Sequence, residues 1–336
     1  MREKPKMKKI KRYMAKTLDY FNLLNPINKP FILMYHRVIE PSSLDYIELP
    51  GMYVSIETFK MHVSLLKDKY SIVPLNKLLE AYNNGEELKN VCSITFDDGW
   101  FDNYLNVFPI INRNKFPISI FLSTNLINTN TSLWAEEICL FLSQRENLSL
   151  FKESFNSREA NFLKSLFGNT MLTPEDITNH IDAIKRLEPG DREVLVGKVI
   201  SINKKNSEYK REILNWEEII EMKKSGYVDF YPHGHNHLFL PELKTDELSF
   251  EVEESIRQIK SNIPDQEINI FCYPSGRYSD KAIECLKRNN IEYGLYRTGG
   301  YLKKNCNNYC IPRIPVHNDI SDSRALFKYH LTRQQR

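Results

Sequence analysis

The sequence lacks long apolar runs. Nowhere in its 336 residues do about 18 consecutive apolar residues occur, so we predict no membrane-spanning helix, and the N-terminal segment has no apolar stretch of the kind found in a signal peptide. With only 12 glycines it cannot be a collagen-like or glycine-rich disordered chain. These absences favour an ordinary globular protein, which we expect in the cytoplasm.

A cysteine framework is also missing. The six cysteines are scattered without the regular spacing of a disulfide scaffold, and we predict reduced thiols. Cys306 and Cys310 are close enough in sequence to share a metal ion or a disulfide, but two such ligands without a second pair are a weak sign of a zinc site.

Positive charge is concentrated at one end of the chain. The formal net charge is +3, but residues 1–16 contain eight Lys and Arg against one Glu, so the remainder carries a charge of −4. A mildly acidic body argues against a nucleic-acid-binding core. We interpret residues 1–28 as a basic tail or an amphipathic helix. With the apolar residues of 18–24, this segment is either solvated or a peripheral contact with an anionic membrane surface.

Short apolar runs alternate with amphipathic stretches along residues 29–320, which is typical of repeated β-α units and a parallel sheet or barrel. The predicted strands are 31–36, 70–73, 91–96, 118–122, 227–231, 268–273, 292–296 and 313–316, and the clearest helices are 56–68, 75–82, 103–114, 245–261 and 279–290. Residues 132–215 break this alternation and are predicted to form a helical insertion, with a helix start at Thr173 and Pro174. Residues 321–336 are predicted to be a C-terminal tail.

Two adjacent carboxylates, Asp97 and Asp98, follow the predicted strand 91–96. In a β/α barrel that end of a strand faces the active site. Because consecutive side chains leaving a strand point in different directions, one carboxylate can bind a metal while the other reaches a metal-bound water. By themselves, these residues are explained equally well by an Asp-Gly turn that caps the next helix.

Three of the eight histidines lie within five residues, at positions 233, 235 and 237. His233 and His237 can converge on one ion from a helical turn or a curled loop, and core histidines seldom cluster in this way. With Asp98 they would form a two-histidine, one-carboxylate site with open positions for water and substrate. Imidazole ligands favour Zn²⁺, with Co²⁺ or Ni²⁺ as alternatives.

Two further strand ends carry candidate residues. The loop 273–278 (YPSGRY) follows one predicted strand, and there Tyr273 or Tyr278 could stack on a ring of the substrate. His36 ends the first predicted strand. A lone histidine is more often structural, but hydrolysis of an amide requires a proton donor for the departing amine, and His36 is a candidate for that donor.

Together these segments resemble the polysaccharide deacetylase family, the NodB-homology group of carbohydrate esterase family 4. The resemblance rests on TFDDG at 95–99, the paired histidines of 233–237 and YPSGRY at 273–278, and the segments 216–226 and 311–316 are also similar. It extends from about residue 31 to 317 and is weakest in the insertion. It implies a distorted (β/α)₇ barrel and the metal-dependent hydrolytic N-deacetylation of an acetylated amino sugar in a polysaccharide or glycan precursor.

The resemblance also implies a role for each residue of these motifs. Asp97 would be the general base, and Asp98, His233 and His237 would hold the metal. The proton donor would be His36, because Tyr35-His36 is similar to an early motif of the circularly permuted branch that includes deacetylases of poly-N-acetylglucosamine. His317 is the alternative, since a late histidine has this role in unpermuted members.

One departure from the family pattern leaves other functions open. The third motif commonly carries an Arg two positions before its Pro, in contact with the catalytic Asp, and here that position is Cys272. Arg37, Arg277 or Arg313 could substitute for it. If none does, a non-catalytic glycan-binding protein on the same fold is the alternative. A metal-dependent hydrolase of another C–N bond, such as a ring amide, would use the same residues.

Overall fold

The computed structural model describes residues 5–20, 24, 28–144, 172–206, 211–297, 299–303 and 306–334. In these residues no helix is both long enough and apolar enough to cross a membrane.

A parallel sheet forms the centre of the described structure. The strands are β1 (Phe31–Tyr35), β2 (Arg37–Val38), β3 (Tyr53–Val54), β4 (Ser71–Ile72), β5 (Val91–Phe96), β6 (Ile118–Leu122), β7 (Val228–Pro232), β8 (Ile270–Cys272), β9 (Tyr293–Leu295) and β10 (Ile314–Pro315). The main sheet has the order β10-β1-β5-β6-β7, with β4 also paired to β5. Two-stranded sheets are formed by β2 with β3 and by β8 with β9.

Helices flank this sheet and separate its strands along the chain. They are α1 (Pro5–Tyr20), α2 (Ile56–Lys69), α3 (Leu75–Asn83), α4 (Phe108–Asn114), α5 (Trp134–Ser143), α6 (Pro174–Ile184), α7 (Pro189–Asn206), α8 (Trp216–Lys224), α9 (Thr245–Asn262), α10 (Asp280–Arg288), α11 (Asn318–Ser321) and α12 (Arg324–Arg333). A π-helical segment, Asn103–Val107, leads directly into α4.

The parallel register decides where functional side chains meet. β1 pairs with β5 so that Tyr35 lies opposite Phe96, and β6 connects β5 to β7. The carboxyl ends of these strands therefore lie along one edge of the sheet, and the residues that follow them share one face of the molecule. The strands are apolar along nearly their whole length because helices cover both faces of a parallel sheet.

The fold is a mixed α/β fold with a parallel sheet. The two-stranded sheet of β8 and β9 lies next to the main sheet, because β8 lies beside β7. On the other side, a β-bridge joins Leu295 of β9 to Ile311, shortly before β10. Since no hydrogen-bonded ladder joins β7 to β8 in the described residues, the closed (β/α)₇ barrel is not confirmed.

The eight strands predicted from the alternation of apolar and polar residues are all present, with ends that differ by at most two residues. The five clearest predicted helices are present too, although the one predicted at 103–114 begins with the π-helical segment. β2 and β3, which have two residues each, were not predicted.

The described part of the predicted insertion contains the helices α5, α6 and α7, whereas residues 145–171 and 207–210 lie outside the described residues. Helices α5, α6 and α7 pack around an apolar core of their own, which includes Phe141, Ile181 and Val199. Helix α6 begins as predicted, with a capping box between Thr173 and Asp176.

The two ends of the chain pack against each other. The prediction of a tail at 321–336 was wrong, because α12 forms there and buries Ala325 against Ala15 of α1. Salt bridges from Lys8 to Asp319, at 3.0 Å, and from Arg12 to Asp322, at 2.6 Å, hold α1 in place. The opposite face of α1 is apolar and open: of the nine large exposed apolar residues in the described structure, five lie on this helix, namely Met7, Ile10, Tyr13, Met14 and Tyr20.

Candidate metal and catalytic site

The structure brings together Asp98, which follows β5, and the two histidines of the loop after β7. The Nε2 atom of His233 lies 3.6 Å from Asp98 Oδ1, and Nε2 of His237 lies 3.4 Å from the same oxygen. One potential ligand atom from each residue lies within 4.8 Å of the other two. These three side chains therefore face a common point.

The hydrogen bonds around this point leave the ligand atoms available. Nδ1 of His233 donates to the Cys272 carbonyl at 2.8 Å, which leaves the Nε2 lone pair directed towards Asp98. Trp100 Nε1 donates to Asp98 Oδ2 at 3.1 Å, whereas Oδ1 is buried and has no hydrogen-bond partner in the described residues. A buried carboxylate oxygen without a partner is costly, and a cation would compensate it.

Burial also favours the ligating forms of the histidines. It lowers the pKa of His233, and for His237 burial and the neighbouring His233 lower the pKa well below the usual range, so both rings are neutral at pH 7. Two neutral imidazoles and one carboxylate fit Zn²⁺ or a similar divalent cation. The donor set in the structure thus suits the implied metal.

Two of these residues have unusual backbone conformations. Asp98 has a φ of +76° and His237 a φ of +57°, a region that costs non-glycine residues free energy and that is enriched at functional sites. Gly234 also has a positive φ, and a Cβ atom there would lie 3.2 Å from Glu251 Oε2. A side chain at position 234 would crowd Glu251 in a left-handed backbone conformation, which favours glycine there.

Glu251 of α9 holds the histidine loop from behind, a contact that the sequence did not reveal. Its buried carboxylate accepts hydrogen bonds from the backbone N–H groups of His235, at 3.0 Å, and Asn236, at 2.8 Å. The amide of Asn236 also donates to it. An acidic residue in a helix gives no sign in sequence that it is buried against a loop, so this residue could not have been singled out.

Asp97 is paired with Arg313, which precedes β10. The guanidinium makes two hydrogen bonds, of 2.6 and 2.7 Å, to the two carboxylate oxygens, and both side chains are almost fully buried. Burial alone would raise the pKa of Asp97, but the charge and hydrogen bonds of Arg313 outweigh it and hold that pKa well below the usual range. Asp97 is therefore an ionised carboxylate beside Asp98, fixed in orientation.

Arg313 also contacts Cys272, since one guanidinium nitrogen lies 2.9 Å from the thiol sulfur. The other two candidate arginines form ion pairs with other residues. Arg37 pairs with Asp102 at 2.8 Å and with Glu48 at 2.7 Å, and the partially exposed Arg277 pairs with Glu242 at 3.2 Å. Of the three arginines considered, Arg313 is the one that supplies the positive charge missing at Cys272.

His36 follows β1 and interacts electrostatically with the same cluster. Burial, together with the charges of Arg297, Arg313 and His233, lowers the pKa of His36 to about 3, although Asp97 acts in the opposite direction. The ring is therefore neutral at pH 7. Burial, which could not be judged from the sequence, is the largest cause of this low pKa.

His317, the alternative proton donor, is the N-cap residue of helix α11. Its carbonyl accepts a hydrogen bond from the hydroxyl of Ser321, the last residue of that helix, at 2.8 Å. The charges acting most strongly on Asp97 include His36 but not His317.

The two tyrosines of the third motif differ in accessibility. Tyr273 is fully buried and its hydroxyl donates to the carbonyl of Tyr309, so its predicted stacking on a substrate ring is wrong. Tyr278 is 38% exposed and packs its ring against Tyr296, and it remains available to a ligand.

The insertion contributes to the surroundings of His237. A cavity of about 200 Å³ lies beside this histidine, between its loop and helix α7. Trp134, Arg192 and Phe239 are among the residues that line it, and the buried Nη1 atom of Arg192 has no hydrogen-bond partner in the described residues. The insertion thus forms part of the wall around the candidate metal site.

Comparisons with known proteins found both a family model and a curated relative. The model of the polysaccharide deacetylase family matches residues 194–294. The curated poly-beta-1,6-N-acetyl-D-glucosamine N-deacetylase of Staphylococcus epidermidis is 29% identical over 119 residues, which are 33% of this chain and 41% of that protein. The match therefore spans less than half of the relative's length.

Solved structures show the same fold. The Streptococcus pyogenes deacetylase PplD, in complex with acetate, is 18% identical, with a TM-score of 0.58 over 93% of this chain and 100% of that one. A de-N-acetylase from Aggregatibacter actinomycetemcomitans is 15% identical, also with a TM-score of 0.58, over 90% of this chain and 100% of that one.

Proposed function

Because the chain belongs to the polysaccharide deacetylase family, we propose that it is a metal-dependent hydrolase that removes N-acetyl groups from an amino sugar in a polysaccharide or glycan precursor. The observation that carries this proposal is the convergence of Asp98, His233 and His237 on one point, with the ionised Asp97 beside them. Zn²⁺ is the cation that the donor set favours, with Co²⁺ or Ni²⁺ as alternatives.

Each side chain has a defined task in this chemistry. When bound, a divalent cation supplies Lewis-acid activation of the amide carbonyl and of the attacking water. Asp97 accepts the proton of that water as the general base. Arg313 holds the Asp97 carboxylate by both oxygens and so keeps it ionised and correctly oriented.

The departing amine needs a proton, and His36 is the donor we propose. It is neutral in the structure, so it must first gain the proton that it delivers. Its interaction with Asp97 supports this role, and His317 is the alternative. The variants His36→Gln and His317→Gln distinguish the two candidates. Loss of the true proton donor should lower kcat far more for a substrate with a poor leaving group than for a substrate with an activated leaving group.

The finer assignments follow from the same observations. Tyr35-His36 at the end of β1 supports the circularly permuted branch, and the substrate named for the curated relative, poly-β-1,6-N-acetylglucosamine, is the first that we propose to test. Seven parallel strands that follow one another in chain order around the site, from β1 through β5–β10, support the distorted (β/α)₇ barrel.

Acetate release combined with metal analysis tests the proposal. We expect wild-type protein to release acetate from the N-acetylated oligosaccharide and to contain about one divalent cation per chain. Asp97→Asn should abolish turnover and keep the cation, whereas His233→Ala should lose both. If both variants release acetate at nearly the wild-type rate, the proposal is wrong.

The two alternative functions are tested by the same screen. A glycan-binding protein would bind the oligosaccharide without releasing acetate, but the pairing of Arg313 with Asp97 removes the reason for that alternative, namely the absent arginine. A hydrolase of ring amides would act on cyclic imides instead of acetylated sugars.

A further inference from the structure

A second and larger cavity lies on the other side of Trp100 from the candidate metal site. Its volume is about 520 Å³, and its walls are the loop 39–46, residues 101–106, the start of α5 and residues 211–212. Its side chains include apolar and aromatic ones such as Leu44, Tyr46 and Phe101. A cavity of this size and mixture suits a ring-shaped polar molecule better than a single ion.

The cavity carries a strong excess of negative charge. Six carboxylates line it against two guanidinium groups. The acidic residues are Glu40, Asp45, Asp102, Glu136, Glu137 and Glu212. Of the two arginines, Arg211 is already paired with Glu218 through two hydrogen bonds of 2.8 and 2.6 Å.

The other arginine, Arg37, cannot balance the carboxylates around it. It is almost fully buried and pairs with Glu48, Asp102 and Glu212, so one positive charge faces three negative ones. Glu136 lies close enough to interact electrostatically with both Arg37 and Glu48. Excess negative charge in a buried region requires either protonation or a cationic partner.

Glu136 is the residue that points to a ligand. It is only 1% exposed, it lines the cavity, and neither of its carboxylate oxygens has a hydrogen-bond partner in the described residues. The hydroxyl of Ser132, also on the cavity wall, is buried and unpartnered as well. Burial, reinforced by Glu48 and Asp98, raises the pKa of Glu136 well above the usual range. Such a group gains most from a partner that brings both positive charge and hydrogen-bond donors.

The buried side chain of Trp100 lies between the candidate metal site and Arg37, which lines the cavity. This side chain donates to Asp98 through Nε1, and the Arg37 guanidinium lies over its ring at 4.2 Å.

We propose that this cavity binds a sugar residue that carries a free, protonated amino group, and that Glu136 accepts the ammonium. The inference rests on the proposed function, since removal of acetyl groups from a polymer creates such residues beside those that are still acetylated. The aromatic walls contact the sugar ring, and the excess of carboxylates selects the positive charge. The cavity would thus direct the enzyme to partly deacetylated glycan.

Calorimetric titration of the metal-loaded full-length protein tests this inference. The probes are a β-1,6-linked glucosamine tetrasaccharide and the equivalent glucose tetrasaccharide, which has the same linkage and no charge. We expect wild-type protein to bind the amine form at least about tenfold more tightly. Glu136→Gln, which keeps the shape of the side chain, should remove that preference and leave the affinity for the glucose form unchanged.

Two further variants complete the design. Glu57→Gln removes the same charge from an exposed site outside the cavity, and it should keep the preference. Ser43→Trp narrows the cavity at its rim without a buried substitution, and it should remove the preference even if Glu136→Gln folds poorly. A wild-type protein without the preference, or a preference that survives both cavity variants, overturns the inference.

The result of this binding experiment does not depend on whether the protein is a deacetylase, because neither tetrasaccharide carries an acetyl group. A charge preference that depends on Glu136 would stand even if no acetylated sugar were hydrolysed. Conversely, acetate release without such a preference would support the deacetylase and reject the amine site.

Discussion

Replacement of Arg313 should strongly lower kcat, although this residue is distant in sequence from the catalytic motifs. Arg313→Lys keeps the positive charge but cannot make both hydrogen bonds to Asp97, which are 2.6 and 2.7 Å long in the structure. The loss of one charge-assisted hydrogen bond costs about 1.5–3 kcal/mol. If that bond orients the base in the transition state, kcat should fall about ten- to 150-fold.

Arg313→Met tests how much the buried ion pair between Arg313 and Asp97 contributes to the stability of the fold. Asp97 is 3% exposed and would be left without its cation, which destabilises a fold by about 3–5 kcal/mol. We expect a lower melting temperature than for Arg313→Lys, in addition to loss of turnover. The double variant Cys272→Arg/Arg313→Cys returns the guanidinium to the family position and should recover part of the activity that Arg313→Cys loses.

The assay is steady-state acetate release, with metal content and thermal unfolding measured on the same samples. Arg277→Lys is the matched control, because this exposed arginine pairs with Glu242 and should keep near-wild-type kcat. If Arg313→Lys has wild-type kcat and stability, the pairing with Asp97 has no catalytic importance, and the reasoning is refuted.

Three other predictions concern the support of the site, the stability and the N-terminal helix. Glu251→Gln should weaken metal binding about ten- to a hundredfold in a chelator competition, because its carboxylate positions the histidine loop; unchanged affinity would contradict this. Burial lowers the pKa of His62 from 6.5 to about 4, so the folded protein binds fewer protons than the unfolded chain between these values, and its stability should fall by about 3 kcal/mol as the pH drops through this window. In thermal unfolding, His62→Gln should therefore show a weaker pH dependence over that range, and an unaltered slope would count against the assignment. Wild-type protein should float with anionic liposomes through the exposed apolar face of α1, and Ile10→Asn/Tyr13→Asn should not; equal flotation of both would exclude this face.

The sequence was sufficient to predict the strands and the motifs that follow them. Apolar runs between polar helices located β1 and β5–β10, and the parallel register then places residues 36, 97–98 and 233 at one edge of the sheet. That placement follows from the general property that carboxyl ends of parallel strands meet. Pairing between β7 and β8 has no local signal in the sequence, so the expectation of a closed barrel rested on the family resemblance alone.

Contacts between segments that are distant in the chain could not be predicted from the sequence. Arg313 was one of three candidate arginines, and only the position of β10 beside β1 decides among them. Glu136 and Glu251 lie in helices whose charge pattern is ordinary, and their burial depends on which elements pack against them. The terminal helix α12 was missed because its apolar face is recognisable only opposite α1.

The most direct test is a crystal structure of the protein grown with Zn²⁺, with anomalous scattering recorded at the zinc edge. We predict one strong peak bonded to Asp98 Oδ1 and to Nε2 of His233 and His237, at about 2.0–2.2 Å, with Asp97 beside it and not bound. A protein that retains full activity while this position holds no metal, or while the peak lies on other residues, would contradict the proposed site.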